Sequence, residues 1–233
     1  MKFVLAVLAA CLFVACKTPT YHYVPTMVNA VPYAAGGEGH LGLAFGSVGI
    51  AAKGGIALSP NINLNAFVGG MPESENGYTS RESEFSLGVQ TNSDDGAMGC
   101  FYIGFGSGNN EKDKIGLSGN YTRPFLQAQF AAVDKPIFNT GAWFDGYIGM
   151  RVNYMDYNGK LNGNEFDDHL IYYEPYFGVA IGSRNVRLEI LQGFSMKNSG
   201  DWRQGVRIFP YWGTVGVAIK LRKRTTVERR PER

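Results

Sequence analysis

Acid, acid and base stand side by side once in this chain, at Asp167-Asp168-His169. A histidine beside carboxylates can serve acid–base catalysis or hold a metal, provided its partners converge within hydrogen-bond reach. Partners are scarce. The other histidines are His22 and His40, and no second cluster of matching groups stands out in the sequence. Adjacent acidic residues in a polar stretch are usually solvated, so the expectation is a protein that is not an enzyme, with no catalytic residues, no metal and no cofactor.

A different chemistry is written at the N-terminus, "MKFVLAVLAACLFVACKTPT". Lys2 precedes an apolar run from Phe3 to Ala15 of about 13 residues, where a membrane-spanning helix needs roughly 20. The length suits a secretory signal peptide. Small residues directly before a cysteine resemble a bacterial lipoprotein signal, in which the cysteine sulfur is acylated with palmitate-type chains and becomes the first mature residue. Leu8-Ala9-Ala10 precedes Cys11, and Phe13-Val14-Ala15 precedes Cys16. Cys11 has the better residues before the cut, but that cut leaves an apolar stretch of only about eight residues, near the lower limit. It would also leave Leu12-Phe13-Val14 on the mature chain. The cut at Cys16 keeps a full stretch and a polar start, Lys17-Thr18-Pro19. The expected organisation is therefore a signal over 1–15, lipidation at Cys16 and a tether over 16–37; a plain signal peptide with incidental cysteines is the alternative. Cys100, the remaining cysteine, reads as a small buried packing residue.

Something must follow that tether, and composition narrows what. Charged residues are 18% of the 233, against roughly 25% in soluble domains, while Gly numbers 31 and aromatics reach 13%. Net charge is +2, but the last stretch from Lys220, "KLRKRTTVERRPER", carries seven basic and two acidic residues. The body is thus slightly acidic, and a nucleic-acid partner is not expected. The basic tail, 223–233, reads as a solvated terminus, or as a contact to anionic lipid headgroups, envelope proteins or cell-wall polymer. No stretch reads as a membrane-spanning helix, so membrane entry would require a closed barrel.

The dominant pattern is alternation with period 2, the mark of strands with two unlike faces. In "TGAWFDGYIGMRVNYMDY", Ala142, Phe144, Ile148, Met150, Val152 and Tyr154 share one face; Trp143, Asp145, Tyr147, Arg151 and Asn153 share the other. In "NINLNAFVG", Ile62, Leu64, Ala66 and Val68 oppose Asn61, Asn63 and Asn65. About ten strands emerge, near 38–46, 48–58, 61–69, 83–91, 97–107, 121–132, 140–154, 170–182, 186–197 and 211–222. Most have the roughly 9–11 residues of a tilted membrane strand. The predicted fold is all-β, an antiparallel up-and-down barrel over 38–222.

Alternate connections are short (Ser59-Pro60, "TNSDDG", "DKPIFN", Ser183-Arg184-Asn185). Those between them are long and polar: "MPESENGYTSRE", "GSGNNEKDKIGLSGN", "DYNGKLNGNEFDDH" and "NSGDWRQGVRIFP". The long ones collect at one end, the asymmetry of outer-membrane barrels. Tyr121, Tyr154, Tyr157, Tyr172, Tyr173, Tyr211 and Trp212 are expected to form an aromatic rim there. Pro124 and Pro175 fall inside strands, where each removes a ladder donor, so either both places are bulges or the strand boundaries differ there.

After Cys16 come Tyr23-Val24-Pro25, Asn29-Ala30-Val31-Pro32 and Gly37-Glu38-Gly39 leading into the first strand. With the lipobox cysteine, this order resembles lipid-anchored, barrel-type envelope proteins of Bacteroidetes-like bacteria. The resemblance covers the first 50 residues by motif and the rest by architecture. It implies an outer-membrane location and an antiparallel barrel, and carries over no catalytic residue.

The polar face gathers Glu38, Lys53, Glu84, Arg123, Asp145, Arg151, Glu174, Arg187, Glu189 and Lys220, with His40, Gln127 and Gln129 among them. In a narrow barrel these form an ion-paired lumen, because isolated buried ions cost several kcal/mol. The leading expectation is a lipid-anchored outer-membrane barrel with a filled polar lumen and a structural or interaction role, its anchor embedded in outer-membrane lipid. The alternatives are a lipid-tethered, soluble, lipocalin-like barrel for a small apolar ligand or partner, and a narrow channel. They are separated by which face points inward and by whether the lumen is open.

Overall fold

The computed structural model describes residues 22, 23, 25, 28, 29, 31–47, 49–73, 77–92, 96–137, 140–198, 206, 208 and 210–222. Cys11, Cys16, the signal stretch and the basic tail 223–233 lie outside these residues.

The strands are β1 (Gly39–Gly46), β2 (Gly49–Ala57), β3 (Ile62–Gly70), β4 (Tyr78–Asn92), β5 (Ala97–Lys112), β6 (Leu117–Ile137), β7 (Ala142–Leu161), β8 (Asn164–Gly182), β9 (Val186–Phe194), β10 (Met196–Lys197) and β11 (Tyr211–Leu221). Each of β1 to β8 pairs antiparallel with the next; β11 pairs with both β1 and β9, and β9 pairs back to β8. The sheet therefore closes on itself. The two-residue β10 continues β9 along β8 beyond Ser195, so the barrel has ten staves.

The alternation seen in sequence sorts side chains as predicted, with charge and amide inside and aliphatic groups outside. Glycines on the inner face make room for rings. Tyr102 lies directly across from Gly88, Tyr176 from Gly149, Tyr147 from Gly178 and Trp212 from Gly193. A Cβ at Gly88 would come within 2.5 Å of the Tyr102 ring.

Three expectations change. First, much of the long polar segments is strand. β4 to β8 run 15 to 21 residues, while β1 to β3 and β9 have 8 or 9. "DYNGKLNGNEFDDH" is a continuous hairpin closed by Asn162-Gly163 at φ 52° and 83°, the positive pair that a type I′ turn requires. Second, neither proline makes a bulge. Arg123 and Pro124 drop out of the β6–β7 ladder, which resumes in register on both sides; Glu174 and Pro175 do the same opposite Phe194 and Ser195. Omitting a pair suffices because each proline lacks only its own N–H, and the ladder bonds on either side are kept. The register shift of the β6–β7 pair lies between Ala132 and Lys135 instead, where Asp134 takes φ 54°.

Third, the tyrosine rim divides. Tyr154, Tyr173 and Tyr211 stay on the outer face, but Tyr121, Tyr157, Tyr172 and Trp212 are buried inside. Their parity is that of Arg123, Asn153, Glu174 and, for Trp212, Thr214, and strand parity outranks residue type.

Candidate functional site: the filled lumen

The interior is built in layers. Midway, β4, β6, β7 and β8 contribute Glu82, Glu84, Arg123, Arg151 and Glu174. The Arg151 guanidinium donates to both oxygens of Glu84, at 2.7 and 2.9 Å, and to Gln127 Oε1 at 3.0 Å. Such bidentate pairing is the geometry in which an arginine–carboxylate bond is strongest. Arg123 donates to Glu82, to Glu84 at 2.8 Å and to Asn153 Oδ1 at 3.0 Å, and stands 3.8 Å from Glu174. Glu174 accepts from Asn153 Nδ2 at 2.9 Å and Ser195 Oγ at 3.2 Å. The Phe125 ring lies 4.1 Å from the Arg151 guanidinium carbon, covering the face that has no hydrogen-bond donors. Both arginines are wholly shielded from solvent.

Lys53 on β2 and Glu189 on β9 form a separate pair at 2.5 Å. At the short-turn end, the β6 register shift places Asp134 among three cations. Asp134 Oδ1 accepts from Arg187 at 2.9 Å, Lys220 at 3.2 Å and Arg222 at 2.7 Å. Lys220 also reaches Asp145 at 2.8 Å, and Arg222 lies 3.7 Å from Glu38. All ten charged residues predicted for the lumen are thus in ion pairs, grouped into three clusters rather than one continuous network.

Sequence reasoning missed Glu82, Asp134 and Arg222. Glu82 shares the parity of Glu84 but lies one residue before the predicted strand start at 83, whereas β4 begins at Tyr78. Asp134 carried no periodic signal, because an insertion in the ladder turned it inward.

The remaining space holds the chain's own N-terminal segment. Tyr23 is buried among Tyr121, Tyr172 and Tyr157, with ring centroids 5.0 and 6.0 Å from the first two, and bridges to Ile208. The Asn110 side chain donates to the carbonyl of His22. Farther along, Asn29 Nδ2 donates to the carbonyl of Ala66 at 2.6 Å, and Val28 joins the buried apolar cluster. The Tyr33 hydroxyl donates to Asn65 Oδ1 at 3.0 Å and lies 2.7 Å from His40 Nδ1; Gln90 Nε2 donates to the Tyr33 carbonyl at 2.5 Å. Gly37 N then donates to the carbonyl of Ala57, the last residue of β2, at 2.7 Å. The Asn face of "NINLNAFVG" is therefore a seat for this segment. Of the residues read as a tether, Tyr23, Pro25, Val28, Asn29, Val31, Pro32 and Tyr33 are buried, while Ala34, Ala35 and Gly37 are exposed.

Asp167, Asp168 and His169 do not converge. Alternation along β8 turns Asp168 inward, to accept from Val206 N at 2.6 Å, while His169 faces out, 3.2 Å from Asp156 and stacked on Tyr154. Among the described residues, no three His, Cys, Asp or Glu side chains are grouped as metal ligands. Cys100 is buried.

The outer face is the inverse of a soluble protein. Phe130 is 73% exposed and Ile148 62%, and some thirty large apolar side chains encircle the barrel. The band has a sharp upper limit. On β7, Ile148, Met150, Val152 and Tyr154 give way to Asp156, Asn158 and Lys160; on β5, Phe101, Ile103 and Phe105 give way to Ser107, Asn109 and Glu111. Phe144 is half-buried, but Ile148, Val152, Val217 and Ile219, the face that a lipocalin-like barrel would turn inward, all point out.

No protein-family profile and no curated protein matches the sequence. Among solved structures, the chain is similar to the translocator domain of autotransporter NalP from Neisseria meningitidis, with TM-score 0.39 and 13% identity over 80% of this chain and 87% of that one. It is similar to the KdgM porin in complex with disordered oligogalacturonate, with TM-score 0.34 and 8% identity over 78% and 98%. A third is the alcaligin outer membrane receptor FauA from Bordetella pertussis, with TM-score 0.31 and 9% identity over 81% and 41%. The functional reading rests on the geometry of the chain itself.

Proposed function

We propose that this protein is an outer-membrane β-barrel, lipid-anchored through Cys16, whose filled polar lumen makes it a structural or interaction element of the cell envelope rather than an enzyme. The observation that carries the reading is the apolar band. From Ile171 to Ile181 on β8 it spans about 11 residues, the run that a tilted strand needs to cross a bilayer. A continuous apolar surface of this extent is foreign to soluble monomers. A closed barrel is also the one β architecture that satisfies every backbone group in lipid.

The clustered ion pairs and the threaded segment support a plugged cylinder over a channel. An eight-stranded barrel is filled by its side chains alone; the extra width of ten staves is taken here by Tyr23, Val28, Asn29 and Tyr33 with their buried neighbours. The β2–β3, β4–β5, β6–β7 and β8–β9 turns and both barrel ends, Gly39 and Leu221, share one end, which faces the periplasm in this reading, with the tall hairpins and the short β1–β2 turn outside.

Heat-modifiable migration tests insertion: the unboiled protein in detergent should run faster than the boiled protein. Identical migration of the two, with release of the protein from membranes by urea, would remove the barrel from the membrane. Loss of fatty-acid label in Cys16→Ala but not in Cys11→Ala tests the anchor.

A further inference from the structure

The direction in which the N-terminal segment runs through the barrel has a topological consequence. Gly37 and Gly39 are tied to Ala57 and Leu221 at the short-turn end. His22 and Tyr23 are held near the hairpin end, by Asn110 two residues before the end of β5 and by Tyr121 and Tyr172. Between them, Val28, Asn29 and Tyr33 are fastened at successive levels of the lumen. Fifteen peptide units separate His22 from Gly37, up to about 50 Å of extended chain, ample to traverse a bilayer-thick barrel. A strand that merely folded back across the short-turn mouth could not bring Tyr23 to the tyrosines of the far end.

We infer that the mature N-terminus leaves the barrel at the tall-hairpin end, so that residues before His22, with the lipid on Cys16, stand on the outside of the cell. This rests on the membrane reading above and adds to it: an even number of strands by itself would leave the N-terminus in the periplasm. Cys16 is six residues from His22, about 20 Å of reach when extended. That distance is enough for an acyl chain emerging at the hairpin end to enter the outer leaflet instead of the inner one. The segment is then both plug and leash, and it cannot leave the lumen without drawing its lipid out of the membrane.

The test uses single reporter cysteines in the full chain, expressed in the outer membrane of a Gram-negative host and exposed to a membrane-impermeant maleimide. Thr20→Cys and the hairpin residue Lys160→Cys should label on intact cells, and Glu232→Cys only after permeabilisation. Purified and folded in detergent, Val28→Cys should resist the reagent until the barrel is unfolded. Thr20→Cys labelling only after permeabilisation while Lys160→Cys labels on intact cells would overturn the threading and leave the barrel's orientation standing. Rapid labelling of Val28→Cys in the folded barrel would overturn it independently of the membrane. Lys160→Cys silent on intact cells would overturn the orientation itself, and with it this inference.

Discussion

The barrel has a tall wall, β4 to β8, and a short wall, β1 to β3 with β9 and β11, and the two fill the lumen by opposite means. Inward positions of the tall wall carry long side chains: Glu82, Glu84, Tyr102, Arg123, Gln127, Arg151 and Tyr176. The short wall has small residues at many of its inward positions, such as Gly42, Ala44, Ala51, Gly55, Gly216 and Ala218, with amides at Asn63 and Asn65 and the charges Lys53, Arg187, Glu189 and Lys220 between them. The tall wall occupies its half of the lumen with its own charges. The short wall leaves a channel, and Val28, Asn29 and Val31 to Tyr33 lie in it. Close packing can be reached by large side chains or by an extra layer of backbone, and this protein uses one on each side.

If the tall wall is self-sufficient, its network should be the most sensitive part of the molecule. Arg151→Met removes the bidentate partner of Glu84 and leaves its buried carboxylate a single cation, Arg123 at 2.8 Å. Breaking a buried ion pair costs about 3–5 kcal/mol. Urea unfolding in lipid vesicles should show a loss of that size. A change under 1 kcal/mol would mean that Arg123 alone carries the cluster.

The outer face sets a second contrast, between levels of the same wall. Ile148→Arg places a charge in the middle of the apolar band, at a cost of about 2–4 kcal/mol near a bilayer midplane. Asn158→Arg, ten positions higher on β7, should change stability by no more than about 0.5 kcal/mol. Equal effects at the two sites in vesicles would contradict the position assigned to the bilayer.

The short wall is probed at Gly55. A Cβ there would strike the Tyr33 hydroxyl and Asn65 Oδ1, the two atoms that seat the threaded segment. Gly55→Ala should cost about 1–3 kcal/mol, as overpacking does. It should also raise maleimide access to a cysteine at position 28 while the barrel stays folded. Loss of the whole barrel with no such intermediate would show that plug and wall form one cooperative unit.

The same contrast explains what could be read from sequence. The alternation of Val152 with Arg151 and Asn153, or of Leu188 with Arg187 and Glu189, fixes strands, faces and lumen charges because period 2 is local. The extent of the tall wall was not legible from that pattern. Above the band both faces are polar, as at Ser118-Gly119-Asn120 or Asp156 to Lys160, and alternation fades where strand does not. The Asn-Gly at 162–163 was the available signal for a continuous hairpin. The threading of residues 22–37 lay beyond any periodicity, since it depends on lumen volume, which a sequence does not display. Its trace was the row of asparagines in β3, whose amides need partners that no neighbouring charge supplied.

A smaller loss than at Gly55 belongs to the hairpin tip, where the tall wall stands farthest from the bilayer. Gly163 takes φ 83° with no atom near enough to meet a Cβ, and Gly141, at the short-turn end between β6 and β7, takes φ 71° in equally open space. Ala at either site therefore changes backbone strain and nothing else, at about 1 kcal/mol. The two should nonetheless differ in what they report. Gly141 closes strands that enter the apolar band directly, so Gly141→Ala should lower the global unfolding midpoint by its full amount. Gly163 closes a hairpin whose last turns are solvated on the outer face and can open without disturbing lipid contacts. Gly163→Ala should chiefly accelerate amide exchange at Lys160 to Glu165, with a smaller shift of the global midpoint, as expected of a locally opening unit. If Gly163→Ala instead moves the midpoint as far as Gly141→Ala, the projecting strands belong to the same cooperative unit as the membrane band. The tall wall would then be a rigid extension of the barrel, with its exposed Asn109, Asn158 and Asp167 held as a fixed surface toward the outside.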